Sequence, residues 1–405
     1  MAVFATSTAR NLTLYPWVAF AQGLVFWQAV WFLYFQNTLS AAQAILLYVV
    51  FDIAVTVLEV PSGYMSDRLG RRITLMASAS CGVAGAVLLA TGASYLAFAI
   101  AQILIGAATA FSSGTGSSLL YESLHAEGRT DEVETQELKV WRFSFVALAL
   151  SAVTGGVLAQ IAQTAPFYAG AITAIAMLLL VVGLHEPPRA NGSTPPVSRQ
   201  LSLLRIAFSS PVLNWLFVLS TVMYVCSHVI YVFGQPYIFE ALLTRGLEGN
   251  APVISGMVSA VMMLISVATS IIALRIRRQL GLHTILLLAF GIQIGLMGIL
   301  ALTNSMLAIA FLFLRMVPDS LSTPFVMARI QPELSSDMRA TYLSLQSFVG
   351  RIMLATTLYF ASFTSSDVGQ MAYDEIRALL VWYIVAALVV FAALAVATRR
   401  VRLEP

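Results

Sequence analysis

Five ionisable residues stand inside long apolar runs of the sequence: Asp52, Glu59, Arg315, Asp319 and Arg351. A charge at the centre of a bilayer-spanning helix costs about 2.5–3.5 kcal/mol even on lenient insertion scales, so such residues mark binding, coupling or pairing sites. Asp52 and Glu59 are seven apart and share one helix face. No basic residue lies within a turn of Asp52, which suits a carboxylate that takes up and releases a proton. Arg315 and Asp319 are spaced to pair along one helix, or to hold a polar solute together. Arg351 carries a planar fork that matches a carboxylate or phosphate, and the surplus of cations over anions in this half points to an anionic group on the solute.

Aromatic and amide side chains supply the second kind of chemistry. Trp27, Gln28 and Trp31 fall in the first apolar run, and Tyr224, His228, Tyr231 and Gln235 in the seventh. Rings of this kind stack on a planar organic ligand while the amides hydrogen-bond to it; Tyr34 and Tyr237, at the ends of these runs, read as interfacial anchors. Glu122 and Arg142, near the ends of the fourth and fifth runs, are spaced to form a gate pair. Cys81 and Cys226 lie in apolar stretches without paired spacing and read as packing residues.

The elements that must hold these groups are membrane helices. The chain has 405 residues, 59% hydrophobic and 10% charged, against about 25% charged in soluble domains. Twelve stretches reach the roughly 20 apolar residues that a span requires: 14–36, 42–62, 73–92, 95–121, 140–161, 166–184, 211–239, 252–274, 282–302, 306–330, 341–363 and 378–398. With the N-terminus inside, seventeen of the 22 basic residues fall in inside segments, while outside loops hold Arg245 and Arg377; the positive-inside rule therefore places both termini in the cytoplasm. A net charge of +3 spread in short clusters argues against nucleic-acid binding. Lys139 is the only lysine and no glycine-rich phosphate loop surrounds it. Four histidines without metal spacing, and no nucleophile elbow, argue against an enzyme and call for no cofactor. The start of the chain lacks a cleavage pattern, so the first span reads as a retained helix.

The most specific string joins the second and third spans: Gly63, Asp67, Arg68, Gly70, Arg71 and Arg72 in GYMSDRLGRR. Its two glycines suit a tight reversal and close helix approach. This string resembles the signature of the major facilitator superfamily between helices 2 and 3. Together with the Glu59–Gly63 string, the run from Ser113 to Ser123 and the run from Arg339 to Ser347, it is similar to a prokaryotic drug and metabolite transporter branch. The second-half loop, Arg275 to Gly281, has lost the acid and the first glycine. The resemblance implies an all-α membrane protein of twelve transmembrane helices in two pseudo-symmetric six-helix bundles. It also implies that Asp67 meets the N-terminal end of helix 11, so that Gly63 to Arg72 work as a conformational latch.

The Pro-, Gly- and Ser-rich run after the sixth span divides the chain into an N-terminal bundle (1–184), a cytoplasmic linker (185–210) and a C-terminal bundle (211–405). The expected activity is secondary transport of a small organic solute by alternating access, monomeric, in the inner membrane of a bacterium. Proton-coupled export by antiport is the first expectation, on the Gly155–Gly156 pair; exporters of the superfamily carry such a pair after a Gly-Pro that this chain lacks. Proton-coupled import of an anionic metabolite is the second. Trp27, Gln28, Trp31, Tyr231, Gln235, Arg315, Asp319 and Arg351 are the expected solute contacts, and Asp52 and Glu59 the proton-coupling pair.

Overall fold

The computed structural model describes residues 2–188, 208–330, 333–334, 336–365 and 370–401, and all of its regular structure is helical. The linker residues 189–207 lie outside the described residues, as do the side chains of 1–7, Val60, Glu134, Leu138 and 336–341. The chain divides into two compact units, one of Met1–Gly192 with Pro252–Met257 and Asp367–Gly369, the other of Ser193–Ala251, Val258–Ser366 and Gln370–Pro405.

In the first unit, the expected first span is not one helix. Helix α1 (Ala2–Gly23) ends before a short 3-10 segment (Phe26–Ala29), and α2 (Trp31–Gln36) follows. The break is held from outside by α7 (Val133–Ile161). A methyl group on Gly155 of α7 would sit 1.8 Å from the Phe26 carbonyl oxygen, so only a glycine lets the two backbones meet there. The Gln28 amide donates to the Leu148 carbonyl at 2.9 Å and to the Ser151 hydroxyl at 3.2 Å, both on α7. Backbone freed from helical pairing needs partners at membrane depth, and the Gly23 carbonyl accepts from the Ser151 hydroxyl at 3.5 Å.

Helix α3 (Ala41–Leu69) runs longer than expected: Pro61, Gly63 and Asp67 all lie within it. Gly63 is therefore helical and the reversal rests on Gly70 alone, at φ +113°. Helix α4 (Arg71–Thr91) leads to the fourth span, which also breaks, into α5 (Tyr95–Ser112) and α6 (Thr115–Ala126) around Gly114 at φ +71°. Helix α8 (Ala165–Val182) completes the unit. Leu12, Val18, Leu75, Leu120 and Val181, from α1, α4, α6 and α8, close its core.

The second unit begins with α9 (Pro211–Leu243), buried over most of its circumference. Helices α10 (Ala251–Leu280) and α11 (Leu282–Leu302) follow. The tenth span divides into α12 (Met306–Leu312) and α13 (Val317–Ile330), with Arg315 in the turn between them. Pro318 explains the division, because it has no N–H to bond back to residue 314 and its ring crowds that carbonyl. Helices α14 (Ser336–Ser362) and α15 (Tyr373–Ala397) end the unit. Among the described residues, ten segments are long and apolar enough to cross a membrane. The first and eleventh expected spans are helical but outside those ten; the eleventh carries Arg351, Gln346 and a run of Ser and Thr.

The two units share details that the sequence hides. Gly281 takes the same reversal as Gly70, at φ +78°, although the loop before it has lost the acid. Ser94 and Ser305 each cap the next helix through the side chain. Tyr34 donates to the Leu89 carbonyl at 2.7 Å and Tyr237 to the Thr303 carbonyl at 2.5 Å. Both tyrosines are buried and close the ends of α4 and α11.

Candidate functional site

The signature residues form a charged cluster where α3 meets α4. Arg71 stands at the start of α4 because Gly70 turns the chain, and its guanidinium reaches three partners: Asp67 at 2.7 Å, the Ser66 hydroxyl at 2.7 Å and Glu122 at 2.9 Å. Glu122 lies on α6. It therefore pairs with Arg71 and not with Arg142, which is exposed on α7 with no ion pair among the described residues. Arg68 is exposed, its guanidinium 5.2 Å from the centre of the Tyr64 ring. Arg72 donates to the Val182 carbonyl at 2.6 Å.

Glu186 joins this cluster unforeseen. Its carboxylate accepts from the backbone N–H groups of Arg71 at 2.7 Å and Arg72 at 2.9 Å, which caps α4 with an anion. Beside it, Asn11 makes a reciprocal pair of bonds with the His185 backbone, at 2.8 and 2.9 Å. The start of the linker is thus tied to α1 and α4. A lone acid just past an expected helix end, followed by Pro-Pro, was the available sequence signal.

In the same unit, Asp52 is 5% exposed in the middle of α3, while Glu59 is half-buried seven residues on. Trp27 and Trp31 line a cavity of about 310 Å³ among α1, α4, α5 and α8, with Phe51 and Thr109 in its wall. Trp27 stacks on Phe167 at 5.9 Å. Gln28, an expected solute contact, is instead tied to α7 as described and is not in that wall.

The second unit holds a polar cavity of about 270 Å³ between α9 and α13, reached by Gln346 of α14. Tyr224, Ser227 and His228 line it from one helix, Asp319 and Ser322 from the other. Positions 220, 224, 227 on α9 and 319, 323, 326 on α13 recur every three or four residues, so each helix presents one face to the space. Arg315 and Asp319 do not form the expected ion pair, because the turn at 313–316 removes Arg315 from the helix that carries Asp319. They meet through Ser227, whose hydroxyl donates to Asp319 at 3.0 Å and whose carbonyl accepts from Arg315 at 3.3 Å. The Arg315 guanidinium also donates to the Met262 sulfur at 3.2 Å and lies 5.3 Å from the centre of the Tyr231 ring.

His228 donates from Nδ1 to the Tyr224 carbonyl at 2.8 Å, since a carbonyl oxygen only accepts, and its ring lies 3.9 Å from the Tyr224 ring, tilted by 35°. Arg351 is half-buried on α14, and both it and Arg315 are within electrostatic reach of His228. Neither arginine is in the cavity wall; nor are the half-buried Tyr231 and the buried Gln235.

The sequence profile of the Major Facilitator Superfamily matches residues 3–358. No curated protein sequence matches the chain. Among solved structures, it is similar to the nucleoside transporter NupG, at 12% identity and a TM-score of 0.77, over 96% of this chain and 98% of that one. A D-xylose–proton symporter is similar at 13% identity and a TM-score of 0.69, over 95% and 96% of the two chains. A bacterial homologue of the human lysosomal transporter Spinster is similar at 14% identity and a TM-score of 0.68, over 97% and 95%. A profile match across most of the sequence, on a helical fold shared with these transporters, shows that the chain belongs to the Major Facilitator Superfamily and is a membrane transporter, not an enzyme.

Proposed function

We propose that the chain is a proton-coupled secondary transporter of a small organic solute, monomeric in the inner membrane of a bacterium with both termini cytoplasmic. The observation that carries this reading is the cavity of the second unit, where Asp319, Ser227, His228 and Gln346 converge within apolar helices. A polar cavity inside a span has the size and mixed lining of a small-molecule site. Asp319 binds the solute in this scheme, and Asp52, buried in α3 of the first unit, carries the proton with Glu59 one helix face further along. The similar D-xylose–proton symporter supports coupling to protons, and the similar nucleoside transporter supports a solute of comparable size.

For direction we assign export by antiport, on the Gly155–Gly156 pair, although Gly155 also serves to seat the 3-10 segment. The second reading is import of an anionic metabolite, favoured by the closeness of Arg315 and Arg351 to the cavity residue His228. The purified chain in liposomes, with a pH gradient of either sense and labelled solutes, tests both. Saturable counterflow with accumulation against a gradient is expected. Unsaturable flux without counterflow overturns the carrier reading, and the sense of the gradient that drives uptake decides between export and import.

A further inference from the structure

The Asp319 end of the cavity has spent its hydrogens. The Ser227 hydroxyl donates to Asp319 and the Ser322 hydroxyl donates to the Pro318 carbonyl at 2.8 Å. His228 has committed Nδ1–H to the Tyr224 carbonyl, which leaves Nε2 of the neutral ring as an acceptor. An ionised Asp319 accepts only. Four neighbouring groups therefore offer lone pairs and no N–H or O–H. The two nearby cations, Arg315 and Arg351, both lie outside the wall; Arg315 donates from Nε to the Met262 sulfur and from Nη1 to the Ser227 carbonyl, with its face against Tyr231. Among the described residues, the remaining hydroxyl and amide donors of the wall belong to Ser220, Tyr224, Thr323 and Gln346.

From this distribution we infer that the solute is neutral and brings a cluster of hydrogen-bond donors, hydroxyl or amino, to the Asp319 end, and that an anionic group is rejected there. The inference rests on the reading of this cavity as the solute site. A carboxylate facing Asp319 finds like charge and no donor, whereas each buried acceptor left unmatched costs free energy of its own. Met223 and Val326 supply the apolar wall for the body of the solute.

Two neutral probes separate the sources of donors: D-xylose offers hydroxyls alone and 9-methyladenine offers an amino group alone. D-xylonate and adenine-9-acetate are their anionic counterparts. Binding of each to the full chain in lipid nanodiscs at pH 7.5 is measured by calorimetry. At least one neutral probe is expected to bind about tenfold or more tighter than its carboxylate partner. Asp319→Asn, which places a donor in the wall, is expected to narrow that ratio about tenfold, and Ser227→Ala supplies a second variant should the first fail to fold. Equal or tighter binding of a carboxylate overturns the inference, as does the failure of both neutral probes at millimolar concentration. Counterflow in liposomes is read separately: a probe that binds with the expected ratio but does not exchange defeats the transport reading alone, while exchange with carboxylates preferred defeats this inference alone.

Discussion

Arg71 grips Glu122 with two guanidinium nitrogens, Nη2 at 2.9 Å and Nε at 3.3 Å, and so ties the start of α4 to α6. Both side chains are mostly shielded, at 17% and 15% exposure, which lifts the pair above an exposed surface ion pair worth about 0–1 kcal/mol. A double-mutant cycle with Arg71→Ala and Glu122→Gln is expected to give a coupling of about 1–3 kcal/mol in unfolding of the detergent-solubilised protein. Additive single effects would show that the contact contributes nothing beyond packing.

The same cluster bears on rate. Asp67→Asn and Arg71→Ala leave the cavity at Asp319 intact, since none of its lining residues belongs to the cluster. Solute affinity is expected to hold while turnover falls several-fold. Weakened binding with normal turnover would contradict the latch role.

Glu186→Gln tests the anion at the start of α4. The amide keeps one acceptor for the Arg71 and Arg72 N–H groups and loses the charge that complements the helix dipole. A loss of about 1 kcal/mol is expected, and it should shrink at high salt because Glu186 is exposed. An unchanged melting temperature at low salt would remove Glu186 from the cluster.

Asp52→Asn is expected to abolish accumulation driven by a pH gradient and to spare counterflow down a solute gradient. Asp52 is buried on α3 and outside both cavities described, so neutralising it should leave the solute contacts in place. Proton-driven accumulation that survives would move the proton to Glu59 or Asp319, and the same assay on Glu59→Gln and Asp319→Asn tells which.

The all-helical membrane fold and the residue types of the signature could be read from the sequence because hydropathy and glycine placement are local properties. The breaks in the first, fourth and tenth spans could not be read from hydropathy, since in lipid an apolar run stays apolar through a break. Local signals existed at Gly114 and at Pro318, whereas the break after Gly23 is held by Ser151 and Gly155, far along the chain. Pairings proved least legible. Glu122 and Arg142 have suitable spacing, yet Arg71 stands closer to Glu122; Arg315 and Asp319 are four apart, yet a turn separates them. Charge complementarity names possible partners, and backbone direction chooses among them.

The break in the first span yields a test of packing free of transport chemistry. A methyl group at Gly155 would overlap the Phe26 carbonyl, and that carbonyl belongs to backbone which cannot step aside without moving the 3-10 segment and Trp27 with it. Gly155→Ala is therefore expected to destabilise the protein by about 1–3 kcal/mol, the usual cost of overpacking. Gly295 in α11 is the control, because nothing lies within 4 Å of a methyl group placed there. Gly295→Ala removes a flexible residue from a helix interior, and a gain of about 0.5–1 kcal/mol is expected. Thermal unfolding of both variants in one detergent, alongside tryptophan fluorescence, measures the contrast. Trp27 sits in the affected segment, so its environment should change in the Gly155 variant and not in the Gly295 variant. Should Gly155→Ala prove neutral with unchanged fluorescence, the backbone contact with Phe26 does not hold the break, and the Gln28 bonds to Leu148 and Ser151 must hold it alone.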